Sequence, residues 1–139
     1  MTADASRPIA VHRAALCLWL SAVLALLVTI AQALRLVDIP SGTTVRIAAL
    51  TGIITVGLLG GLAATIGLGQ NWARWAYAVI YVIGTLGAVA VAPAVFFAQP
   101  LILKANMILQ LALQTAAFVL VFTKSSRQWF NARRASAAP

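Results

Sequence analysis

The hydrophobic residues of this chain fall into four long runs, which short charged or turn-forming segments separate. Uncharged stretches cover residues 14–34, 47–73, 75–103 and 105–123. A helix that crosses a bilayer needs about 20 mostly apolar residues, so each stretch holds one span and none is long enough for two. The runs are continuous, whereas the strands of a membrane β-barrel alternate between apolar and polar residues. The sequence therefore predicts an all-α integral membrane protein with four spanning helices.

Turn-forming residues indicate where the spans end. We predict one domain with spans at about residues 11–36, 44–68, 72–95 and 101–123, followed by a basic tail over 124–139. After the first span, Pro40 and Gly42 break the helix, and Ser41, Thr43 or Thr44 can cap the next one. Pro93 is expected to kink or end the third span. Because the connections are short, consecutive helices should be antiparallel neighbours in an up-down four-helix bundle.

Composition supports a bilayer rather than water as the solvent of this chain. It has 139 residues, of which 63% are hydrophobic and 9% are charged, whereas a soluble domain carries about 25% charged residues. The net charge of +8 comes from basic residues at the ends of apolar spans. Anionic membrane lipids are therefore the expected counter-ions, and no nucleic-acid partner is predicted.

Lysine and arginine counts predict the orientation of the chain. With the N-terminus inside, seven of the ten basic residues lie on the inner side, and Arg35, Arg46 and Lys104 lie outside. This bias favours a multi-pass orientation with both termini cytoplasmic. The tail is expected to form an amphipathic helix with Trp129 and Phe130 in the lipid headgroups. The inner interface should then contain Trp72, Arg74, Trp75, Arg127, Trp129, Arg133 and Arg134.

The fourth span carries a stripe of carboxamides on one helical face. Asn106, Gln110 and Gln114 are spaced at i, i+4 and i+8, and unpaired polar groups facing lipid are costly. Matching partners are available on the other three spans: Tyr77, Tyr81 and Thr85 on the third, Ser21, Thr29 and Gln32 on the first, and Thr51 and Thr55 on the second. Two interpretations remain open, a hydrogen-bonded interior that fixes helix register and a polar cavity for a small or amphipathic ligand.

Small residues form a second kind of face. Gly57 and Gly61 make a G-x-x-x-G pair on the second span, and Gly84 and Ala88 share a face of the third. Small residues let helix backbones approach closely in lipid. The pattern fits packing inside the bundle, and it also fits the contact face of a homo-oligomer or of another membrane protein.

Groups that could perform chemistry are scarce. The only acids are Asp4 and Asp38, both outside the spans, and the chain has one histidine and one cysteine. We therefore predict no metal site, no cofactor and no enzymatic activity. The chain resembles small multidrug transporters in size and helix count, but it lacks their acid in the first span, which argues against drug–proton antiport.

Two motifs suggest a further resemblance. The segment Gly-Gln-Asn-Trp-Ala-Arg-Trp at 69–75 and Ser-Arg-Gln-Trp-Phe at 126–130 resemble a pattern in uncharacterised small four-helix bacterial inner-membrane proteins. The resemblance implies a fold and a compartment without implying an activity. The functional prediction is a non-catalytic protein that binds a partner as an accessory subunit, a protector or an assembly factor. The alternatives are a small oligomeric facilitator or channel with a polar path along the fourth helix, and binding of a lipid or hydrophobic ligand in the bundle.

Overall fold

A computed structural model describes residues 7–37 and 44–136, without the side chains of 91–95, 98 and 136. It contains five helices: α1 (Ile9–Ala33), α2 (Val45–Gly67), α3 (Asn71–Ala98), α4 (Leu101–Val121) and α5 (Lys124–Ser136). The first four are long and apolar enough to cross a membrane, judged by length and composition. The all-α class and the prediction of four helices long and apolar enough to span a membrane are therefore confirmed, and α5 adds a helix in the basic tail.

Two of the helix ends use the same backbone motif. The amide of Gly69 donates to the carbonyl of Ile66, and the amide of Gln70 donates to the carbonyl of Thr65. This pair of bonds is a Schellman motif, and it requires the left-handed φ of +83° that Gly69 adopts. The same two bonds close α1, but there the left-handed residue is Arg35, at φ +56°.

The N-terminus of α2 follows the sequence prediction, whereas the end of α3 does not. The hydroxyl of Thr44 accepts a hydrogen bond from the amide of Ile47, so Thr44 is the N-cap of α2. Of the two effects predicted for Pro93, a kink or a helix end, the helix end is wrong, since α3 continues through that residue to Ala98. In an apolar segment the remaining backbone groups have no water to bind, so one lost hydrogen bond is not enough to end the helix.

The core forms around α1, which packs along both α2 and α4. Buried residues of α1 form one hydrophobic cluster with buried residues of α2 and of α4. The cluster includes Val11, Ala14, Leu18, Ala22, Leu59, Leu62, Ala63, Ile66, Ala117 and Val121. Three α2 glycines give the register, since Gly67 lies against Arg7, Gly60 against Trp19 and Gly52 against Thr29. Residues later in α1 thus contact residues earlier in α2.

Helix α3 joins the other helices mainly through its first third. Ala73, Arg74 and Tyr77 are buried there, whereas residues 82–90 are exposed apart from Thr85, which is half-buried. Aromatic side chains make the junction, with the Tyr81 ring 4.9 Å from Phe118. Most of the apolar length of α3 is consequently free to contact lipid or another protein.

The basic tail docks onto the bundle. Trp129 and Phe130 are 4% and 0% exposed, so the prediction that both side chains enter the headgroups is wrong for this structure. Trp129 lies over Gly69, where a Cβ atom would come within 2.8 Å of its ring. The missing side chain at Gly69 therefore makes room for the tryptophan. We call this end of the bundle, which contains residue 7, the α2–α3 turn and α5, the docked end.

Candidate functional site

The predicted polar stripe of α4 meets a buried serine of α1. The Ser21 hydroxyl, which is fully buried, donates to Gln110 Oε1 over 3.3 Å and accepts from Gln114 Nε2 over 3.2 Å. One hydroxyl thus bridges two carboxamides one helical turn apart. Because both bonds cross between helices, they fix the rotation and the register of α4 against α1.

The two tyrosines of α3 extend this cluster. The Tyr77 hydroxyl donates to the backbone oxygen of Gln114 over 2.6 Å. The hydroxyls of Tyr81 and Thr115 are 2.7 Å apart and hydrogen-bonded. Thr115 is the member that the sequence interpretation missed, because a helical threonine usually bonds its own preceding turn, as Thr115 also does at Leu111.

The remaining predicted residues lie apart from this cluster. Asn106 and Thr85 are half-buried, and neither makes a side-chain hydrogen bond to another residue in the described part of the chain. Gln32 lines a groove of about 390 Å³ between α1, α2 and α4, together with Gln110. The groove also contains three threonines, Thr29, Thr51 and Thr55. Gln110 is therefore the residue that links the buried cluster to an accessible polar surface.

Glycines on α2 divide into two faces with different surroundings. A Cβ atom at Gly52 would collide with the Thr29 side chain, and one at Gly60 would lie 3.4 Å from the Trp19 ring. At Gly57 and Gly61 the same atom would meet nothing within 4 Å. The close approach to α1 thus uses Gly52 and Gly60, while the predicted G-x-x-x-G pair lies outside the bundle.

The small face predicted on α3 is also uncovered. A Cβ atom at Gly84 would meet nothing within 4 Å, and Ala88 is exposed. Neither residue packs against α4, because α3 contacts the bundle nearer to its N-terminus. Both predicted small faces are therefore accessible from the bilayer.

The interface residues predicted around the α2–α3 turn have different environments. Trp72 and Trp75 are 60% and 57% exposed, whereas Arg74 is only 7% exposed. The Arg74 guanidinium lies 5.5 Å from the centre of the Phe130 ring and 5.7 Å from that of Trp75. Its Nε and Nη1 atoms are buried and lack a hydrogen-bond partner among the described residues.

Three further arginines of the predicted interface belong to α5. Arg127 is exposed and close enough for its charge to act on Arg74. Arg133 lies over the Trp129 ring at 5.4 Å. Arg133 and Arg134 line a groove of about 700 Å³ with residues 68–72. The docked end thus gathers positive charge around the start of α3.

Side chains that could ligate a metal ion do not cluster in the described part of the chain. Within residues 7–37 and 44–136, no group of three or more His, Cys, Asp or Glu side chains is placed to hold a metal ion. Cys17 is half-buried and forms no disulfide, and His12 is exposed. No protein-family model, no curated protein and no solved structure matches the chain.

Proposed function

We propose that this chain is a non-catalytic small membrane protein that acts by binding a membrane protein partner, as an accessory subunit, a protector or an assembly factor. The observation that carries the proposal is the exposed Gly57–Gly61 face of α2. In lipid, where apolar side chains gain little from leaving the solvent, close backbone packing at small residues drives helix association. The proposed occupant is a helix of a partner protein or of a second copy of this chain.

The hydrogen bonds inside the bundle support a partner-binding protein rather than a channel. Both Gln110 and Gln114 bind Ser21, and the backbone oxygen of Gln114 accepts from Tyr77. Carboxamides that line a solute path would instead leave their polar atoms free for the solute. A rigid interior suits a protein that presents fixed outer faces to a partner.

We further propose that the bundle has antiparallel up-down topology in a bacterial inner membrane, with both termini cytoplasmic. The opposite progression of the α1 and α2 contacts supports antiparallel packing of that pair. The basic residues Arg7, Arg74 and those of α5 gather at one end, as the positive-inside bias would require. The resemblance of the 69–75 and 126–130 motifs to small four-helix inner-membrane proteins supports the compartment.

Bulky substitutions on the exposed face test the partner-binding proposal. We expect Gly57→Leu together with Gly61→Leu to abolish co-purification of a membrane partner, or of a differently tagged second copy, from mild detergent. Ala105→Leu is the matched control, since it adds a similar side chain at an exposed position on α4. Native mass spectrometry measures the complex, and thermal unfolding checks that the variants fold. Retention of the complex by the folded double variant would exclude this face.

A small facilitator is the second candidate, because Gln110 and four further polar side chains line one groove. An oligomer could join such grooves into a path along α4. Gln110→Leu should then abolish solute flux into liposomes that contain purified protein, with Thr65→Val as a control whose hydroxyl bonds its own helix. If the protein conducts no solute before mutation, the facilitator is excluded and partner binding is favoured.

A further inference from the structure

Arg74 is a buried cation without a counter-ion in the described structure. It is 7% exposed, and neither Nε nor Nη1 finds a hydrogen-bond acceptor. Removing a charge from water without pairing it is strongly unfavourable. The chain has only two acids, Asp4 and Asp38, and both lie outside the described residues. A compensating negative charge is therefore needed at this position.

The neighbours of Arg74 compensate its charge only in part. The faces of Trp75 and Phe130 attract the guanidinium, but aromatic faces do not replace acceptors in the guanidinium plane. Arg127 adds a second positive charge nearby, and two guanidinium groups repel each other. The local fold thus increases the demand for an anion.

The backbone beside Arg74 provides additional donors. Helix α3 begins at Asn71, and the Gln70 side chain does not cap it; that side chain accepts from the Trp72 indole instead. The amide of Ala73 donates to the Gln70 carbonyl. The amides of Asn71 and Trp72 have no such side-chain acceptor, and they lie at the positive end of the helix dipole. Arg133 and Arg134 face the same turn across the groove.

We propose that the docked end binds a phosphate group, with Arg74 as its buried anchor and the start of α3 as a further contact. A planar guanidinium can bind two phosphate oxygens at once. An anionic phospholipid is the source that the surroundings favour, because Arg74 lies at the end of a spanning helix. Exposed Trp72 and Trp75 flank it there, as tryptophans do at a headgroup layer. The exposed apolar face of α3 accommodates the acyl chains.

The test compares lipids that differ in headgroup charge. Purified full-length protein is titrated with phosphatidylglycerol, with phosphatidylcholine or with inorganic phosphate, and binding is followed by native mass spectrometry and thermal unfolding. We expect phosphatidylglycerol to bind and to stabilise the protein more than phosphatidylcholine does. Loss of a charge-assisted hydrogen bond predicts that Arg74→Gln weakens phosphatidylglycerol binding about 10-fold to 100-fold.

Two controls separate a built site from general attraction between charges. Arg46→Gln removes the same charge at an exposed position on α2 and should leave binding within about twofold, because surface charges contribute little. Arg74→Lys keeps the charge but loses the planar fork, so intermediate binding is expected. Stabilisation by inorganic phosphate alone, lost in Arg74→Gln, would support the site and identify a free phosphate as its ligand.

Several results would overturn the proposal. Equal binding of the charged and zwitterionic lipids would do so, as would equal losses in Arg74→Gln and Arg46→Gln. Asp4→Asn is tested without added lipid, alone and together with Arg74→Gln. If Asp4→Asn destabilises the protein only when Arg74 is present, Asp4 is the counter-ion of Arg74 and the proposal fails. Arg74→Gln should itself fold, because it removes an unpaired buried charge, and a folded variant with unchanged lipid affinity would also refute the site.

Discussion

Docking of the tail helix depends on one glycine, and replacing it tests the packing at the docked end. Gly69 has a φ of +83°, and adopting a left-handed conformation costs a residue with a Cβ atom about 1–2 kcal/mol. The added Cβ atom would also lie 2.8 Å from the ring of Trp129. Complete expulsion of a buried tryptophan costs about 3–5 kcal/mol. Gly69→Ala should carry the backbone cost plus a part of the cost of displacing Trp129. We therefore expect it to destabilise the protein by about 2–4 kcal/mol.

The assay is reversible unfolding in mixed micelles, with the tryptophan emission maximum as a second reading of Trp129 exposure. Gly87→Ala is the matched control, because a Cβ atom there meets nothing within 4 Å; it should be neutral or stabilise by up to about 1 kcal/mol. In a Trp129→Ala background, Gly69→Ala should cost only the backbone contribution of about 1–2 kcal/mol. Equal costs in both backgrounds would refute the steric contact, and a neutral Gly69→Ala would refute the turn conformation.

Three further substitutions test the helix packing, each by the free energy of unfolding in micelles. Ser21→Ala removes two interhelical hydrogen bonds and should cost about 1–2 kcal/mol, at roughly 0.6 kcal/mol or more per bond. Thr55→Ala is the control and should cost less, because the Thr55 hydroxyl bonds its own helix. Equal losses would contradict the bridging role of Ser21. Gly52→Ala pushes against Thr29 and should cost about 1–3 kcal/mol, with most of that loss relieved by adding Thr29→Ala. Arg35→Gly places glycine at φ +56° and should stabilise by about 1 kcal/mol; a destabilised variant would contradict that backbone conformation.

Helix content was predictable because the lengths of apolar runs are closely constrained by a bilayer. The predicted spans 11–36 and 101–123 correspond to helices Ile9–Ala33 and Leu101–Val121. The hydrogen bonding between α1 and α4 was also predictable in part, since three carboxamides on one face of α4 need polar partners on other helices. Selecting Ser21 over the other polar residues of α1 required the actual register, which side-chain spacing on separate helices does not determine.

Packing faces were less predictable, for a physical reason. Helix α2 carries glycines around much of its circumference, so several faces allow a close approach. Which face contacts α1 depends on the large side chains that α1 presents, here Trp19 over Gly60. The tail posed a similar ambiguity, because a Trp-Phe pair can be buried by headgroups or by protein. The deciding feature was Gly69, whose lack of a side chain creates the recess for Trp129.

The position of Arg74 connects the two proposals made for this protein. Arg74 belongs to the same stretch of α3 as Tyr77, through which α3 is attached to α4. An anion bound at Arg74 would relieve the repulsion from Arg127 and strengthen the contact between α3 and α5. A partner that contacts the Gly84–Ala88 face of α3 in addition to the Gly57–Gly61 face of α2 would depend on the same junction, because the α3 face lies beyond this attachment. Lipid and partner binding should then be thermodynamically linked, so each should raise the affinity for the other by the same factor. A partner affinity that is identical in phosphatidylglycerol and in phosphatidylcholine would show that the two sites act independently.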